Sequence, residues 1–424
     1  MSEFAATTYQ NEYLATGATR VNALVSVTAS GTIDAAPGHD RAEVVIVDVS
    51  GSMNFPRTKI KSAVAATCAA VDCIHDGVLF AVIAGTDEAS YVYPSDATLA
   101  VASPSTRQAA KDKVRKLKAG GGTAIGTWLG AARDVLADRA GCVAHAILLT
   151  DGENQNETPE ELASAVKACE GAFQCDCRGV GADWVVSELR TVASGLLGTV
   201  EAIRAPEDLA ADFTATMEHA MGRGTTNVAL RIWTPVGARV DLVQQVSPTV
   251  EDLTDRRTAV GDLEGDYPTG SWGDETREYH VAIEVPAREI GEEMLAGRIK
   301  LVVDEEVVSE ARIRAVWTDD VELSTRVNLE LAHYTGQAEF ARAIDEAYAA
   351  RRAGDVSEAT RLFGTAVSIA NDIGDTDRLQ DLAKVVDIED AASGTVRLKQ
   401  DVDALDDLAL EVDSVKTNRL PSIG

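Results

Sequence analysis

Nine residues, Val44-Val45-Ile46-Val47-Asp48-Val49-Ser50-Gly51-Ser52, decide the predicted fold of this chain. The apolar first half indicates a fully buried strand, of the kind found in parallel sheets. Because alternate residues of an extended segment point the same way, Asp48, Ser50 and Ser52 are expected to present three hard oxygens to one point. Such oxygens suit Mg²⁺, which keeps several waters and prefers octahedral geometry. The stretch therefore predicts a metal site at the carboxyl end of a buried strand.

Strand-like and helix-like segments alternate on both sides of this stretch, from residue 42 to residue 222. Apolar strand candidates recur, and amphipathic helix candidates separate them. This alternation is typical of a mostly parallel sheet that is covered by helices on both faces. We therefore predict a doubly wound, Rossmann-like α/β domain over residues 42–222. The segments that carry this prediction include Lys59–Cys73, Val78–Ala84, Thr123–Ala137, Val143–Leu149 and Phe173–Val180.

The remainder of the chain has a different pattern. Short segments of alternating apolar and polar residues, separated by turns, predict a β-sandwich domain over residues 223–320. Thr19–Ala29 shows the same alternation, so residues 1–41 are predicted to add one or more strands to that sandwich. Helical periodicity over residues 321–424 predicts a C-terminal helical bundle. The chain is thus expected to be multidomain, with the α/β domain inserted into the sequence of the sandwich.

Helical periodicity in the C-terminal region predicts the helices Asn328–Thr335, Gln337–Arg352, Val356–Ile373, Thr376–Val385 and Gly394–Val415. The middle helices, with alanines on facing sides, resemble a tetratricopeptide-type hairpin. One such repeat is too short for a free-standing solenoid, so we prefer a helical cap on the sandwich. The last predicted helix is amphipathic and acidic, and it could pack internally or engage a partner.

Two further segments are expected to complete the metal site. Gly120-Gly121-Gly122-Thr123-Ala124-Ile125-Gly126 is a glycine-rich loop that opens a helix and presents the Thr123 hydroxyl at the helix start. Thr150-Asp151-Gly152 follows an apolar strand, which places Asp151 at a strand's carboxyl end. Open α/β sheets bind their ligands at this edge. Thr123 and Asp151 are therefore candidate partners of the first three oxygens.

Taken together, these segments resemble the von Willebrand factor type A family over residues 42–222. Asp48-x-Ser50-x-Ser52, Thr123 within Gly-Gly-Thr-x-x-Gly and Asp151 within Leu-Leu-Thr-Asp-Gly match the metal-ion-dependent adhesion site of that family. The resemblance implies that Ser50 and Ser52 bind Mg²⁺ or Mn²⁺ directly. It implies that Thr123 binds directly or through water, and that Asp48 and Asp151 act through water. The alternative is that Ser50, Ser52 and Asp48 only cap the turn.

A cation held in this way is poor in direct anionic ligands, so an open position should favour a carboxylate from outside. Our leading hypothesis is a metal-dependent binding or scaffold protein that captures an Asp or Glu of an unidentified partner protein. The alternative is an accessory subunit of an ATPase or chelatase-type complex. Since the sequence contains no phosphate-binding loop of its own, this role would need a partner ATPase. We expect no enzymatic activity, since no catalytic triad with a nucleophile elbow is recognisable.

Charge and hydropathy restrict the classes of partner and the cell compartment that are expected. A formal net charge of −29 disfavours nucleic acid and anionic membrane surfaces. No apolar run approaches the roughly 20 residues that span a bilayer, and the start of the sequence does not follow a signal-peptide pattern. A cytoplasmic protein is expected, similar to intracellular bacterial members of the family.

Several other residues have predicted roles. Cys175 and Cys177 are predicted to be buried and reduced, and His145 to be a satisfied core histidine. Asp87, Glu88, Glu153 and Asn154 are candidates for the rim of the metal site.

Overall fold

The computed structural model describes residues 3–31, 41–137 and 142–419. The chain divides into two compact units. One comprises Thr32–Thr226 with Gly270–Gly273, and the other comprises Met1–Gly31, Asn227–Thr269 and Asp274–Gly424. Parts of the predicted terminal regions, residues 1–2, 32–40 and 420–424, lie outside the described ranges. The N-terminal segment forms the strands β1 (Glu3–Gln10), β2 (Tyr13–Ala15) and β3 (Arg20–Ser30).

The α/β unit alternates strands and helices, as predicted. Its strands are β4 (Arg41–Asp48), β5 (Leu79–Gly85), β6 (Ala89–Tyr93), β7 (Ala100–Val101), β8 (Val143–Thr150), β9 (Gln174–Val180) and β10 (Val200–Ile203). Its helices are α1 (Thr58–Cys73), α2 (Pro104–Val114), α3 (Ile125–Leu136), α4 (Pro159–Cys169), α5 (Val186–Gly195) and α6 (Leu209–Gly222). The strand order is β10-β9-β8-β4-β5-β6, with β7 beside β5. The pairs from β10 to β5 are parallel, whereas β6 and β7 run antiparallel to β5.

The central strand β4 is buried along nearly its whole length because both faces of the sheet are covered. Val45 and Val47 belong to a core cluster that also contains Phe213 and Met217 of α6. This two-sided burial explains why the sequence shows a continuous apolar run there instead of an alternation. The strand order also reverses direction at β4, whose neighbours are β5 on one side and β8 on the other. A topological switch point of this kind leaves a crevice at the carboxyl ends of the strands.

The second unit contains two large sheets, in addition to a short hairpin in its C-terminal region. Its further strands are β11 (Thr225–Trp233), β12 (Arg239–Ser247), β13 (Glu251–Asp252), β14 (Thr258–Ala259), β15 (Glu264–Trp272), β16 (Glu275–Glu284), β17 (Glu293–Val303) and β18 (Glu306–Thr318). One sheet has the order β1-β3-β16-β12-β13, and the other has the order β14-β15-β11-β17-β18-β2. β3 pairs with β16, which is the long-range pairing that the alternation in Thr19–Ala29 predicts. A backbone amide of β1 donates to Ser309 Oγ of β18 at 3.0 Å and links the two sheets.

The C-terminal region is helical with one interruption. Its elements are α7 (Val321–Ser324), α8 (Leu329–Arg352), α9 (Val356–Asp372), α10 (Thr376–Val385), β19 (Val386–Asp390), β20 (Thr395–Leu398) and α11 (Ala404–Asp413). The two helices predicted on either side of Gly336 are one helix, α8. Glycine suits this point because a Cβ there would lie 3.0 Å from Ile373 at the end of α9. None of the helices in the described ranges combines the length and apolar character needed to cross a bilayer.

The predicted helix Gly394–Val415 is wrong over its first part, where β19 and β20 form a hairpin. Gly394 adopts a φ of +67°, which favours a turn. A Cβ on Gly364 would lie only 2.2 Å from the Gly394 carbonyl oxygen, so the turn crosses α9 at close range. The amphipathic residues beyond this turn pack internally, with Leu410 in the same cluster as Phe363. At the other end of the bundle, Tyr334 of α8 packs against sheet residues, in agreement with a helical cap on the sandwich.

A buried charged network lies near the amino ends of β4, β8 and β9. His145 Nδ1 lies 2.8 Å from Glu43 Oε2, and its Nε2 lies 3.0 Å from Asp176 Oδ2. Burial alone would lower the pKa of His145, but the two carboxylates raise it to about 9. His145 is therefore a satisfied core residue, as predicted, and it carries a positive charge at neutral pH.

We expect His145→Gln to destabilise the α/β unit in a pH-dependent way. The folded-state pKa of His145 is raised above its ordinary 6.5 to about 9. The contribution of His145 to the free energy of unfolding is therefore fully present below pH 6.5 and is lost as the pH rises through 9. The difference between the two pKa values corresponds to about 3 kcal/mol. Urea unfolding between pH 6 and pH 9 should show the gap between wild type and variant closing. The exposed His75→Gln is the matched control, and a gap that stays constant with pH would contradict this account.

Candidate metal centre

The parallel register of β4 and β8 brings together the residues at the carboxyl ends of these two strands. Val47 of β4 lies opposite Leu149 of β8, so Asp48 and Thr150, one position further on, are neighbours. Thr150 Oγ1 donates a hydrogen bond of 2.6 Å to Asp48 Oδ2. The other carboxylate oxygen, Oδ1, accepts the backbone N–H of Ser50 at 2.7 Å. Asp48 is fully buried and is fixed at both oxygens.

The side chains of Ser50 and Ser52 connect the end of β4 with Asp151, the residue that follows β8. A 3₁₀ turn over Gly51–Asn54 follows β4 and holds the serine side chains on one side. Ser50 Oγ and Ser52 Oγ lie 2.8 Å apart, and Ser52 Oγ donates to Asp151 Oδ1 at 2.6 Å. The structure thus joins three of the predicted ligands in one chain of oxygen contacts. Asp151, at the end of this chain, is fully buried.

Backbone hydrogen bonds bring the glycine-rich loop against the turn that carries the serines. Gly51 N donates to Gly121 O at 3.0 Å, and Gly120 N donates to Val49 O at 2.8 Å. Gly121 has a φ of +87°, and a Cβ there would lie 2.6 Å from a carboxylate oxygen of Asp87. Only glycine fits this approach without displacing its neighbours.

Thr123 follows the loop and precedes α3. Its backbone N–H donates to Asn156 Oδ1 at 3.1 Å, and the residue is 4% exposed. Thr123, Ser50 and Ser52 all line one cavity of about 400 Å³. The other lining residues are Gly51, Gly121, Gly122, Gly152, Glu153, Gln155, Ala182, Asp183 and Trp184.

The two carboxylates lie behind the hydroxyls instead of on the cavity wall. Asp48 and Asp151 are each bonded to the serine-bearing segment, the first through Ser50 N and the second through Ser52 Oγ. This arrangement is compatible with the roles that the family resemblance implies, because the hydroxyls face the cavity and the carboxylates lie one layer behind them. Asp48 does cap the turn, as the alternative interpretation requires. The hydroxyls of Ser50 and Ser52, however, contact each other, and that of Ser52 also contacts Asp151.

Electrostatics at this edge favour a cation. Burial, with a smaller contribution from the charge of Asp151, raises the pKa of Asp48 to about 6, although hydrogen bonds from Thr150 and Ser50 act in the opposite direction. A divalent cation beside the two carboxylates would offset the penalty of burying their charges. The donors are hydroxyl and carboxylate oxygens, so they fit Mg²⁺ or Mn²⁺. Within the described ranges, no cluster of three or more His, Cys, Asp or Glu is arranged to hold a metal ion.

Lys59 is a site residue that the sequence prediction missed. Its Nζ lies 2.8 Å from Asp151 Oδ2 and 3.3 Å from Asp183 Oδ2. Burial alone would lower the pKa of Lys59, but these two carboxylates raise it above its usual value. One signal was present in the sequence: Lys59 lies in the first turn of α1, where the helix dipole disfavours a cation. A lysine at such a position indicates a specific anionic neighbour.

The predicted rim residues have different roles. Asn154 is buried, and its Oδ1 accepts the N–H of Ile125 at 2.9 Å, so it caps the start of α3. Asp87 Oδ1 accepts the N–H of Gly122 at 3.1 Å, which fixes the glycine loop. Glu153 lines the cavity. Glu88 accepts from the Thr86 backbone and side chain through its carbonyl oxygen.

Comparison with known proteins identifies this architecture. Family models match the chain in two places: a von Willebrand factor type A domain over residues 42–202 and a von Willebrand factor type A C-terminal domain over residues 368–414. The structure of a von Willebrand factor type A protein from Catenulispora acidiphila is 46% identical with a TM-score of 0.93, covering 99% of this chain and 97% of that chain. These matches confirm the resemblance that was inferred from the three motif segments.

A more distant structure shows the same fold. The ArnB paralog VWA2 from Sulfolobus acidocaldarius is 15% identical with a TM-score of 0.57, covering 98% of this chain and 100% of that chain. At this identity, the likeness extends to the fold alone. The comparison with curated proteins gives no match.

We expect Glu157→Ala to loosen the loop that carries Thr123. Glu157 accepts the N–H groups of Gly126 at 2.7 Å and Thr127 at 3.1 Å, so its charge stabilises the amino end of α3. The loss should be about 1–2 kcal/mol in the free energy of unfolding, with faster amide exchange at the start of α3. Glu160→Ala, in the exposed first turn of α4, is the control and should leave exchange in α3 unchanged. Unaltered exchange in Glu157→Ala would show that this capping does not hold the loop.

Proposed function

Because the chain belongs to the von Willebrand factor type A family, we propose that it is an interaction protein whose bound divalent cation captures an acidic side chain of a partner protein. The observation that carries the proposal is the chain of contacts from Ser50 Oγ through Ser52 Oγ to Asp151 Oδ1. The serines in this chain, together with Thr123, face a cavity of about 400 Å³. A group from outside therefore has room to reach a cation held there.

The chemistry of this donor set favours a carboxylate as the outside group. Ser50, Ser52 and Thr123 would hold Mg²⁺ or Mn²⁺ with neutral oxygens, and Asp48 and Asp151 would act from behind them. A cation with few direct anionic ligands keeps a strong attraction for an external anion. When bound, the cation would supply this attraction, and the chain's own residues would orient it. An Asp or Glu on a partner is the protein group that fits best.

Reversible binding, without turnover, is the second part of the proposal. The cavity wall consists of hydroxyl, glycine, acidic and amide-bearing residues with one alanine and one tryptophan, and it offers neither histidine nor cysteine as a nucleophile or proton shuttle. The cytoplasmic location and the alternative role beside an ATPase stay predictions from the sequence. The acidic composition continues to favour a protein partner over nucleic acid.

Metal binding is the first prediction of this proposal. Wild-type protein should bind Mn²⁺ in a titration followed by electron paramagnetic resonance, and Mg²⁺ should compete. Ser52→Ala removes an oxygen that contacts both Ser50 and Asp151, so it should weaken Mn²⁺ binding by roughly tenfold or more. Ser95→Ala, at an exposed serine whose hydroxyl accepts from Lys113, is the matched control. Equal Mn²⁺ affinity in all three proteins would contradict the assignment of the site.

Carboxylate capture is the second prediction. With Mn²⁺ bound, the carboxyl carbon of ¹³C-labelled acetate should relax faster than in the presence of the metal-free protein, because acetate reaches the ion. Ethylene diamine tetraacetate should abolish the effect, and acetamide should not reproduce it. Acetate relaxation that does not depend on protein-bound Mn²⁺ would count against an open coordination position.

A further inference from the structure

A lysine ammonium lies directly behind the proposed metal site. Lys59 Nζ is 2.8 Å from Asp151 Oδ2, and the other oxygen of that carboxylate accepts the hydrogen bond from Ser52. The side chain of Lys59 is 6% exposed and that of Asp151 is fully buried. Little water or salt can screen charges in such a place, so the ammonium acts strongly on any ion beside the serines.

The architecture keeps the lysine in this position. Lys59 belongs to the first turn of α1. A Cβ on Gly181, which has a φ of +78°, would lie 3.5 Å from Lys59 Cε and 3.6 Å from its Nζ, so this backbone passes directly over the ammonium. The second ionic partner, Asp183, is 76% exposed and lines the cavity. Lys59 thus connects a buried carboxylate with one on the cavity wall.

A count of charges shows what the lysine changes. Asp48 and Asp151 bring two negative charges, and Lys59 brings one positive charge close to them. With a divalent cation bound, these three buried side chains and the ion carry a net charge of +1, whereas without the lysine they would be neutral. The exposed Asp183 offsets part of the positive charge of Lys59. A net positive site holds its cation less tightly and attracts an external anion more strongly.

We propose that Lys59 is a positioning residue that sets this balance by acting through Asp151. It lowers the affinity of the site for the free cation, and it raises the affinity of the cation-loaded site for a partner's carboxylate. The inference rests on the proposed function, because it requires a cation beside Ser50 and Ser52. It adds a specificity element from a part of the chain outside the three motif segments.

The test compares Lys59→Met with Lys61→Met. Both variants remove one positive charge from α1, but Lys61 is exposed, two residues further along. Mn²⁺ affinity is measured by electron paramagnetic resonance, and acetate affinity by ¹³C relaxation on the Mn²⁺-loaded protein. Lys59→Met should bind Mn²⁺ roughly tenfold more tightly or better and acetate correspondingly more weakly. Lys61→Met should change both by less than about twofold, since an exposed charge is screened.

A second variant covers the case in which Lys59→Met, with Asp151 left buried and unpaired, fails to fold. Asp183→Asn alters an exposed side chain and removes the negative charge that partly offsets Lys59. It should shift both affinities the opposite way, with weaker Mn²⁺ binding and tighter acetate binding by a few-fold. Glu153→Gln, on the same cavity wall, controls for general loss of negative charge and should have the smaller effect.

The outcomes separate the two proposals. If wild-type protein binds no Mn²⁺, the proposed function fails, and the inference about Lys59 fails with it. If the wild type binds Mn²⁺ and acetate but Lys59→Met loses both together, the lysine is only structural, and the inference alone is overturned. Unchanged affinities in folded Lys59→Met, or in Asp183→Asn if Lys59→Met does not fold, would overturn it as well. Opposite changes in the two affinities support it, because loss of structure would lower both.

Discussion

The hydrogen bond from Thr150 Oγ1 to Asp48 Oδ2, 2.6 Å long, joins the carboxyl ends of β4 and β8, and the candidate site depends on it. It requires the parallel register in which Val47 lies opposite Leu149. A slip of one residue would turn the side chains of a strand to the other face. Such a slip would separate Asp48 from Thr150 at one end of β4 and Glu43 from His145 at the other. The register of β4 and β8 therefore determines where Asp48 and Asp151 lie.

Buried charged side chains lie at both ends of these strands, and the two groups are balanced differently. Near the amino ends, His145 lies between Glu43 and Asp176. Arg178 and Arg223 act on Asp176, and Arg41 acts on Glu43, so protein groups alone balance the two carboxylates. At the carboxyl ends, Lys59 balances Asp151 in part, and Asp48 remains buried with only neutral hydrogen-bond donors. Buried charges require partners. The first group is a closed structural network, whereas the second has a deficit of positive charge that faces a cavity. This difference is the physical basis for assigning ion binding to one end of the sheet.

The sequence predicted the α/β fold. It also singled out the five oxygen-bearing residues, because each follows a buried apolar strand or opens a helix, and their role as metal ligands stays a prediction. It did not predict Lys59 as a site residue. A lysine in the first turn of α1 indicates an anionic neighbour, but the identity of that neighbour, Asp151, depends on how α1 packs beside the Gly181 backbone. The helix predicted from Gly394 was wrong for a similar reason. Helical spacing of its apolar residues was real, but the close crossing between Gly394 and Gly364 of α9 imposes a hairpin there. Local periodicity thus predicted most of the secondary structure. Tertiary contacts determined the hairpin that replaces the predicted helix, and also the contact of Lys59 with Asp151.

The proposed site holds one cation at the mouth of the cavity through hydroxyls of two separate segments, Ser50 and Ser52 after β4 and Thr123 before α3. The most direct measurement is anomalous X-ray scattering from crystals of the wild-type protein soaked in Mn²⁺. The account predicts one strong peak next to Ser50 Oγ and Ser52 Oγ, on the side facing Thr123. A peak elsewhere on the chain, or none beside these hydroxyls at saturating Mn²⁺, would contradict it.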